Sequence, residues 1–217
     1  MLNIFIYLVI YLVIFALLFV LNYTHKNYHK RICNLNYYTN IILNYTITFI
    51  LCIFMIKYNL FHEVYFLRIK NIIMYLFILD FMQYWLHRVI HRTACLKTNF
   101  HNTHHIEKKL IPLDFIHVDI YEYLVFFLGI HVFIAIFLKI SLYEFICSSL
   151  IIFAHQYYTH SDSNIDFLIP FFNSSIYHKK HHIIGKGNYA MFFPIWDFIM
   201  NTMITKTFKQ HRNEIRI

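Results

Sequence analysis

The chain has 217 residues, 59% of them hydrophobic and only 14% charged, with 3 Gly and 3 Pro. That balance excludes an ordinary soluble domain and describes an integral membrane protein of one domain. The formal charge of +8 is spread among loops between apolar runs rather than gathered on one stripe, which excludes nucleic acid as a partner and fits cytoplasmic membrane loops.

The first predicted element is a retained membrane anchor: Ile4 to Leu21 are 18 consecutive apolar residues. A cleaved signal peptide is the competing reading, but Asn22-Tyr23-Thr24-His25 offers no small-residue cleavage site. After the basic stretch Lys26, Lys30 and Arg31, a second span runs from Ile41 to Ile56. A loop from Lys57 to Lys70 leads to a third apolar run, Ile72 to Leu86, interrupted by Asp80 and Gln83. An acidic residue inside a span is costly and by default functional. Asp80 lies seven residues before His87 on the same helical face, so it is a candidate to orient a metal-binding imidazole, with an arginine-paired Asp as the alternative. Leu124 to Ala154 is mostly apolar for 31 residues, too long for one span, and Lys139 and Ser141 near its middle predict a helical hairpin. His131 within it reads as a packed or hydrogen-bonded histidine. The cysteines at 33, 52, 95 and 147 are far apart and form no disulfide framework. The expected fold is all-α, with about four or five membrane segments and a histidine-rich cap. The basic loops place that cap in the cytoplasm.

The chemistry is carried by ten histidines: His87, His91, His101, His104, His105, His155, His160, His178, His181 and His182. His87 and His91 are one helical turn apart, and in the strings His101-Asn-Thr-His104-His105 and His178-Lys-Lys-His181-His182 the first histidine shares a face with the other two. Imidazole binds zinc, copper, iron and nickel, and ten ligands exceed what one ion takes, so two ions are expected. A ligand set of neutral imidazoles leaves the ions strongly electrophilic. Iron in such a setting reduces dioxygen, and a place just inside the lipid headgroups admits an apolar substrate for attack on a C–H bond. A zinc hydrolase would call for a general base of the HExxH kind, which the chain lacks. A metal-binding membrane transporter would hold its histidines near the bilayer midplane, whereas these cluster beyond the span ends.

The order HRxxH, HxxHH, a spaced histidine pair, then HxxHH followed by Asn-Tyr and Trp-Asp resembles the fatty acid hydroxylase and sterol desaturase superfamily of membrane di-iron enzymes. The resemblance rests on DFMQYWLHRVIH at Asp80–His91 and YHKKHHIIGKGNYAMFFPIWDFIMNT at Tyr177–Thr202, and covers about residues 72 to 206. It implies residues 72–206 as the di-iron domain, which the apolar runs and the charge pattern set between an amino-terminal transmembrane region, 1–71, and a basic cytosolic tail, 207–217. It also implies two iron ions on the ten histidines, dioxygen, and electrons from a separate cytochrome b5 and its reductase in the endoplasmic reticulum membrane. Two places depart from the pattern: His155 and His160 are separated by four residues where some members have three, and Asn201-Thr202 stands where Gly-Thr is usual. His117-Val118-Asp119 and the segment His160-Ser161-Asp162 with Pro170 and Asn173-Ser174-Ser175 are similar to sterol C5 desaturases, which makes a sterol the expected substrate. Fatty acid or sphingolipid hydroxylases and C4-methylsterol oxidases share the same histidines and are the alternatives.

Overall fold

A computed structural model describes residues 9–13, 16, 17, 20, 35–63, 66–106, 108–162 and 171–205. The expected first span lies largely outside the described residues. The basic loop at Lys26–Arg31, Pro170 and the tail from Lys206 lie wholly outside them. The described residues are helical throughout their regular structure and contain no strand. Cys95 and Cys147 are free thiols.

Four longer helices form the body: α1 (Leu35–Lys57), α2 (Ile69–Arg92), α3 (Ile120–Phe137, π-wound over Tyr123–Gly129) and α4 (Leu142–Thr159). Of these, α1 and α3 are long and apolar enough to cross a membrane by length and composition. The sequence of α2 sorts its residues by face. Tyr75, Leu76, Leu79, Tyr84, His87 and Ile90 are buried, while Ile73, Phe77, Phe81 and Trp85, one turn apart from each other, face outward. An outward stripe of large apolar side chains, continued on α1 by Ile42, Ile50 and Phe54 and on α3 by Phe133 and Phe137, is what lipid tails cover and water does not.

The long apolar run does break where a hairpin was expected. The chain turns through Leu138–Ile140 with Lys139 in the left-handed region at φ 49°, and α4 restarts from Ser141. Ser141 Oγ accepts from the Glu144 N–H at 3.2 Å while Glu144 Oε2 accepts from the Ser141 N–H at 2.8 Å, which satisfies helix-start donors from both sides. The same carboxylate takes Arg68 Nε at 2.7 Å and Arg68 Nη2 at 2.8 Å, so the amino-terminal ends of α2 and α4 are tied together. At about 1.5 Å per residue, His87 lies ~28 Å along α2 from Arg68, and His160 lies ~24 Å along α4 from Glu144. The two helices therefore deliver their histidines to one level. α1 runs the other way: Cys52 and Met55 pack with Tyr75 and Leu76 near the start of α2. In the first half of α1, Asn40 donates to the Val118 carbonyl at 2.9 Å and Asn44 to the carbonyls of Ile116 and Val118 at 3.0 Å.

Candidate metal centre

Three local devices bring the histidines together. After α2 the chain makes a π turn at Lys97–His101 and a short helix at Asn102–His105, which bury His101, His104 and His105. α4 ends with His160 at its cap. A further helix, α5 (Ser175–Ile184), starts where Ser174 Oγ accepts from the Tyr177 N–H at 3.1 Å and stops at Gly185, whose φ of 68° favours glycine. It buries His178, His181 and His182.

Nine of the ten expected histidines fall into two groups, each with its ligand nitrogens within 4.8 Å of one another. One holds His87, His91, His101, His105 and His181, and the other His104, His160, His178 and His182. Each HxxHH string is divided. His101 and His105 go to the first group and His104 to the second, while His178 and His182 go to the second and His181 to the first. The tenth, His155, is not brought in. Its Nε2 lies 3.1 Å from the Asn173 carbonyl oxygen, and its ring packs 4.2 Å from that of Phe192. At about 100° per residue a five-residue step turns it ~140° away from His160, and the residue one turn before His160 on its own face is Gln156. His131, also outside both groups, is hydrogen-bonded to the Tyr75 hydroxyl.

The protonation pattern follows from the outer partners. His87 Nδ1 lies 2.8 Å from the Tyr189 carbonyl oxygen, His181 Nδ1 2.8 Å from that of Gly187, and His160 Nδ1 2.9 Å from that of Gln156. A carbonyl only accepts, so these Nδ1 atoms carry the proton and the Nε2 lone pairs point inward. His87 Nε2 then faces His101 Nε2 at 3.0 Å and His91 Nε2 at 3.2 Å. One lone pair cannot serve two neighbours by hydrogen bonding, but a cation among them satisfies all three. Two ligand atoms each about 2.1 Å from one ion and at right angles to each other are ~3.0 Å apart, which is the observed spacing. The second group has the same spacing, with His178 Nε2 3.1 Å from His160 Nε2 and 3.0 Å from His182 Nε2. Burial holds these imidazoles below their ordinary range, His87 at about 4 and His160 at about 3, so they stay neutral and available as ligands. The donor set thus fits two metal ions.

Four carboxyl groups, Asp80, Asp119, Glu122 and Asp197, brace the elements around the histidines. Among the described residues, Asp80 touches no imidazole and is not paired with an arginine. Its carboxylate accepts from the backbone N–H groups of Met191, Phe192 and Phe193 at 3.0, 2.7 and 2.8 Å, a correction to its expected role. The orienting carboxyl is Glu122, whose Oε1 lies 2.6 Å from His101 Nδ1. Nothing in the spacing of the motifs pointed to it, although a lone acid opening a long apolar run is a readable signal. Asp197 accepts from the N–H groups of Tyr189 and Ala190 at 2.9 and 2.8 Å and from the Tyr177 hydroxyl at 2.7 Å. It thereby fixes the loop whose carbonyls orient His87 and His181. Asp119, in the stretch resembling sterol C5 desaturases, accepts from the Tyr121 N–H at 2.8 Å and starts α3. In the same loop Gly187 has φ 86°, and a Cβ there would collide with the Thr202 carbonyl oxygen. Asn201 also has a positive φ, 52°, which explains how asparagine stands in for the usual glycine.

A pocket walled by Phe115, Val118, Phe126 and Phe127 opens onto His87, His101, His104 and His160. Phe115 and Phe127 also belong to a larger, apolar cavity between α1, α3 and α4. The two histidine groups thus border a partly apolar pocket that shares Phe115 and Phe127 with a cavity between α1, α3 and α4.

The sequence-family model described as Fatty acid hydroxylase matches residues 72–202. The chain is 33% identical over 138 residues to lathosterol oxidase of Homo sapiens, covering 60% of this chain and 44% of the human protein. To lathosterol oxidase of Rattus norvegicus it is 30% identical over 138 residues, with the same coverage. The chain spans less than half the length of these relatives. No solved structure matches.

Proposed function

We propose, from the premise that the chain belongs to the fatty acid hydroxylase family, that it is a membrane-bound di-iron oxidoreductase acting on a sterol, with C5-type desaturation as the reaction. The observation that carries this reading is the pair of inward-facing imidazole groups beside a pocket walled by Phe115, Val118, Phe126 and Phe127. His87, His91, His101, His105 and His181 would hold one iron, and His104, His160, His178 and His182 the other. Bound there, iron supplies the reduction of dioxygen and the breaking of an unactivated C–H bond. Desaturation balances when dioxygen takes two protons and two electrons from the lipid, plus two protons and two electrons from a donor, and leaves as two waters. A separate cytochrome b5 and its reductase would be that donor.

The chain's own residues supply geometry. Glu122 and the carbonyls of Tyr189, Gly187 and Gln156 hold four imidazoles in one tautomer and one direction. Phe115, Phe126 and Phe127 keep water from the reacting carbon and press the lipid against the histidine face. The cap would face the cytosol from the endoplasmic reticulum membrane, at the end of five crossings. The sterol reading is favoured over fatty acyl, sphingolipid or C4-methylsterol oxidation by the relatives named lathosterol oxidase and by the His117-Val118-Asp119 stretch.

The test is expression in cells that lack their own sterol C5 desaturase. The expected result is conversion of the accumulated delta-7 sterol to the delta-5,7 form, abolished by His104→Ala. Unchanged sterols with new hydroxylated fatty acids or ceramides would transfer the reading to a lipid hydroxylase. No change in any lipid, with protein, iron and reductase present, would leave a metal-binding membrane protein.

A further inference from the structure

The larger cavity is lined chiefly by apolar side chains, among them Leu51, Met55, Phe127, Leu128, Phe145 and Phe153. Its hydroxyl and imidazole groups are mostly accounted for. Thr48 and Tyr123 bond each other, Tyr45 bonds the Tyr11 carbonyl at 3.3 Å, and His131 bonds Tyr75. Gln156 differs. It lines the same cavity, is only 3% exposed, and its Oε1 has no hydrogen-bond partner. A buried acceptor left unsatisfied costs about 1–3 kcal/mol, so the position is poor for stability alone. Its place is also particular. Gln156 lies one turn before His160, ~6 Å along the helix axis, and its backbone carbonyl holds the His160 Nδ1 proton. Its side chain borders the lipid-sized space and is absent from the wall of the smaller pocket over the histidines.

We propose that the Gln156 side-chain amide is the hydrogen-bonding anchor for a free hydroxyl on the lipid substrate, and so a specificity-determining residue. This rests on the function proposed above and narrows it. An amide oxygen accepts, so its partner must donate. The anchor sits about one helical turn from a metal-holding histidine, so the hydroxyl lies within a few carbons of the carbon that is oxidised. A sterol meets this condition, because its ring-A hydroxyl is two carbons from C5 and its apolar body can fill the cavity. A lipid oxidised far along an acyl chain from its polar end does not.

The experiment measures binding of a delta-7 sterol and its 3-deoxy counterpart to the purified, metal-loaded protein, for wild type and for Gln156→Leu, with Gln156→Met as a second apolar replacement. Wild type is expected to prefer the hydroxylated sterol about tenfold, the worth of one hydrogen bond. The apolar variants are expected to reduce that preference to about twofold or less, with metal content unchanged and a thermal midpoint equal to or above wild type. A preference that survives in both variants, or is absent from wild type, overturns the proposal. Loss of metal in the variants also overturns it, making Gln156 a ligand instead. Sterol binding with a Gln156-dependent preference but no oxidation would overturn the proposed reaction and leave the anchor standing. Oxidation indifferent to Gln156 would do the reverse.

Discussion

An imidazole binds a metal more tightly when its outer nitrogen is held in place, and for His101 that task falls to Glu122. Glu122→Ala is expected to weaken metal binding by about 10- to 100-fold at the five-histidine group, read by competition with a chelator. Glu122→Gln, which keeps an accepting oxygen, should recover most of it. An alanine variant that holds metal as tightly as wild type would remove the orienting role. At this scale the motifs revealed which histidines matter because HxxHH encodes a helical face directly. Resemblance to the family's spaced pair assigns His155 as a ligand, but its five-residue step turns it ~140° from His160 and out of both groups. The partners of Asp80 were hidden for another reason: backbone N–H groups 111 to 113 residues away carry no side-chain signature.

Helices were legible from apolar runs, and the break at Lys139–Ser141 from a charge and a capping residue inside one. The π turn at Lys97–His101 and the loop at Gly187–Ala190 were not, because their shapes are set by burial of the histidines and by Asp197 rather than by periodicity. The structure adds an element-level argument to the orientation proposed above. His62 N–H bonds the Ile140 carbonyl at 2.9 Å and Arg68 bonds Glu144, so the loop after α1 and the turn after α3 share the end of the helices away from the histidines. Tags after Arg31 and after Ile217 are therefore expected on the cytosolic side in sealed vesicles, and a tag near Glu63 on the other. Protease protection of the carboxyl-terminal tag would refute that arrangement.

For the whole molecule, eight buried imidazoles and the half-buried His91 make stability depend on pH. An unfolded histidine titrates near 6.5. His87 in the folded protein titrates at about 4 and His160 at about 3, both lowered by burial. The unfolded chain thus binds protons first as pH falls. The stabilising difference is complete above pH ~6.5 and is lost between there and the folded values, at up to about 1.4 kcal/mol per pH unit for each such histidine. The metal-free protein is expected to show a thermal midpoint that drops steadily from pH 7 to pH 5. A flat profile would mean that the imidazoles are not buried in neutral form. Bound metal should leave over the same window, since protons and ions compete for the same nitrogens.

The division of each HxxHH string between the two groups also binds their fates. Deleting His101–His105 would take two ligands from one group and one from the other, and deleting His178–His182 would do the same with the groups exchanged. Neither string is the private property of one ion. A lineage carrying this arrangement has no route, through loss of either string, to a simpler protein with one intact ion site: the two are inherited as a unit, and they decay as one.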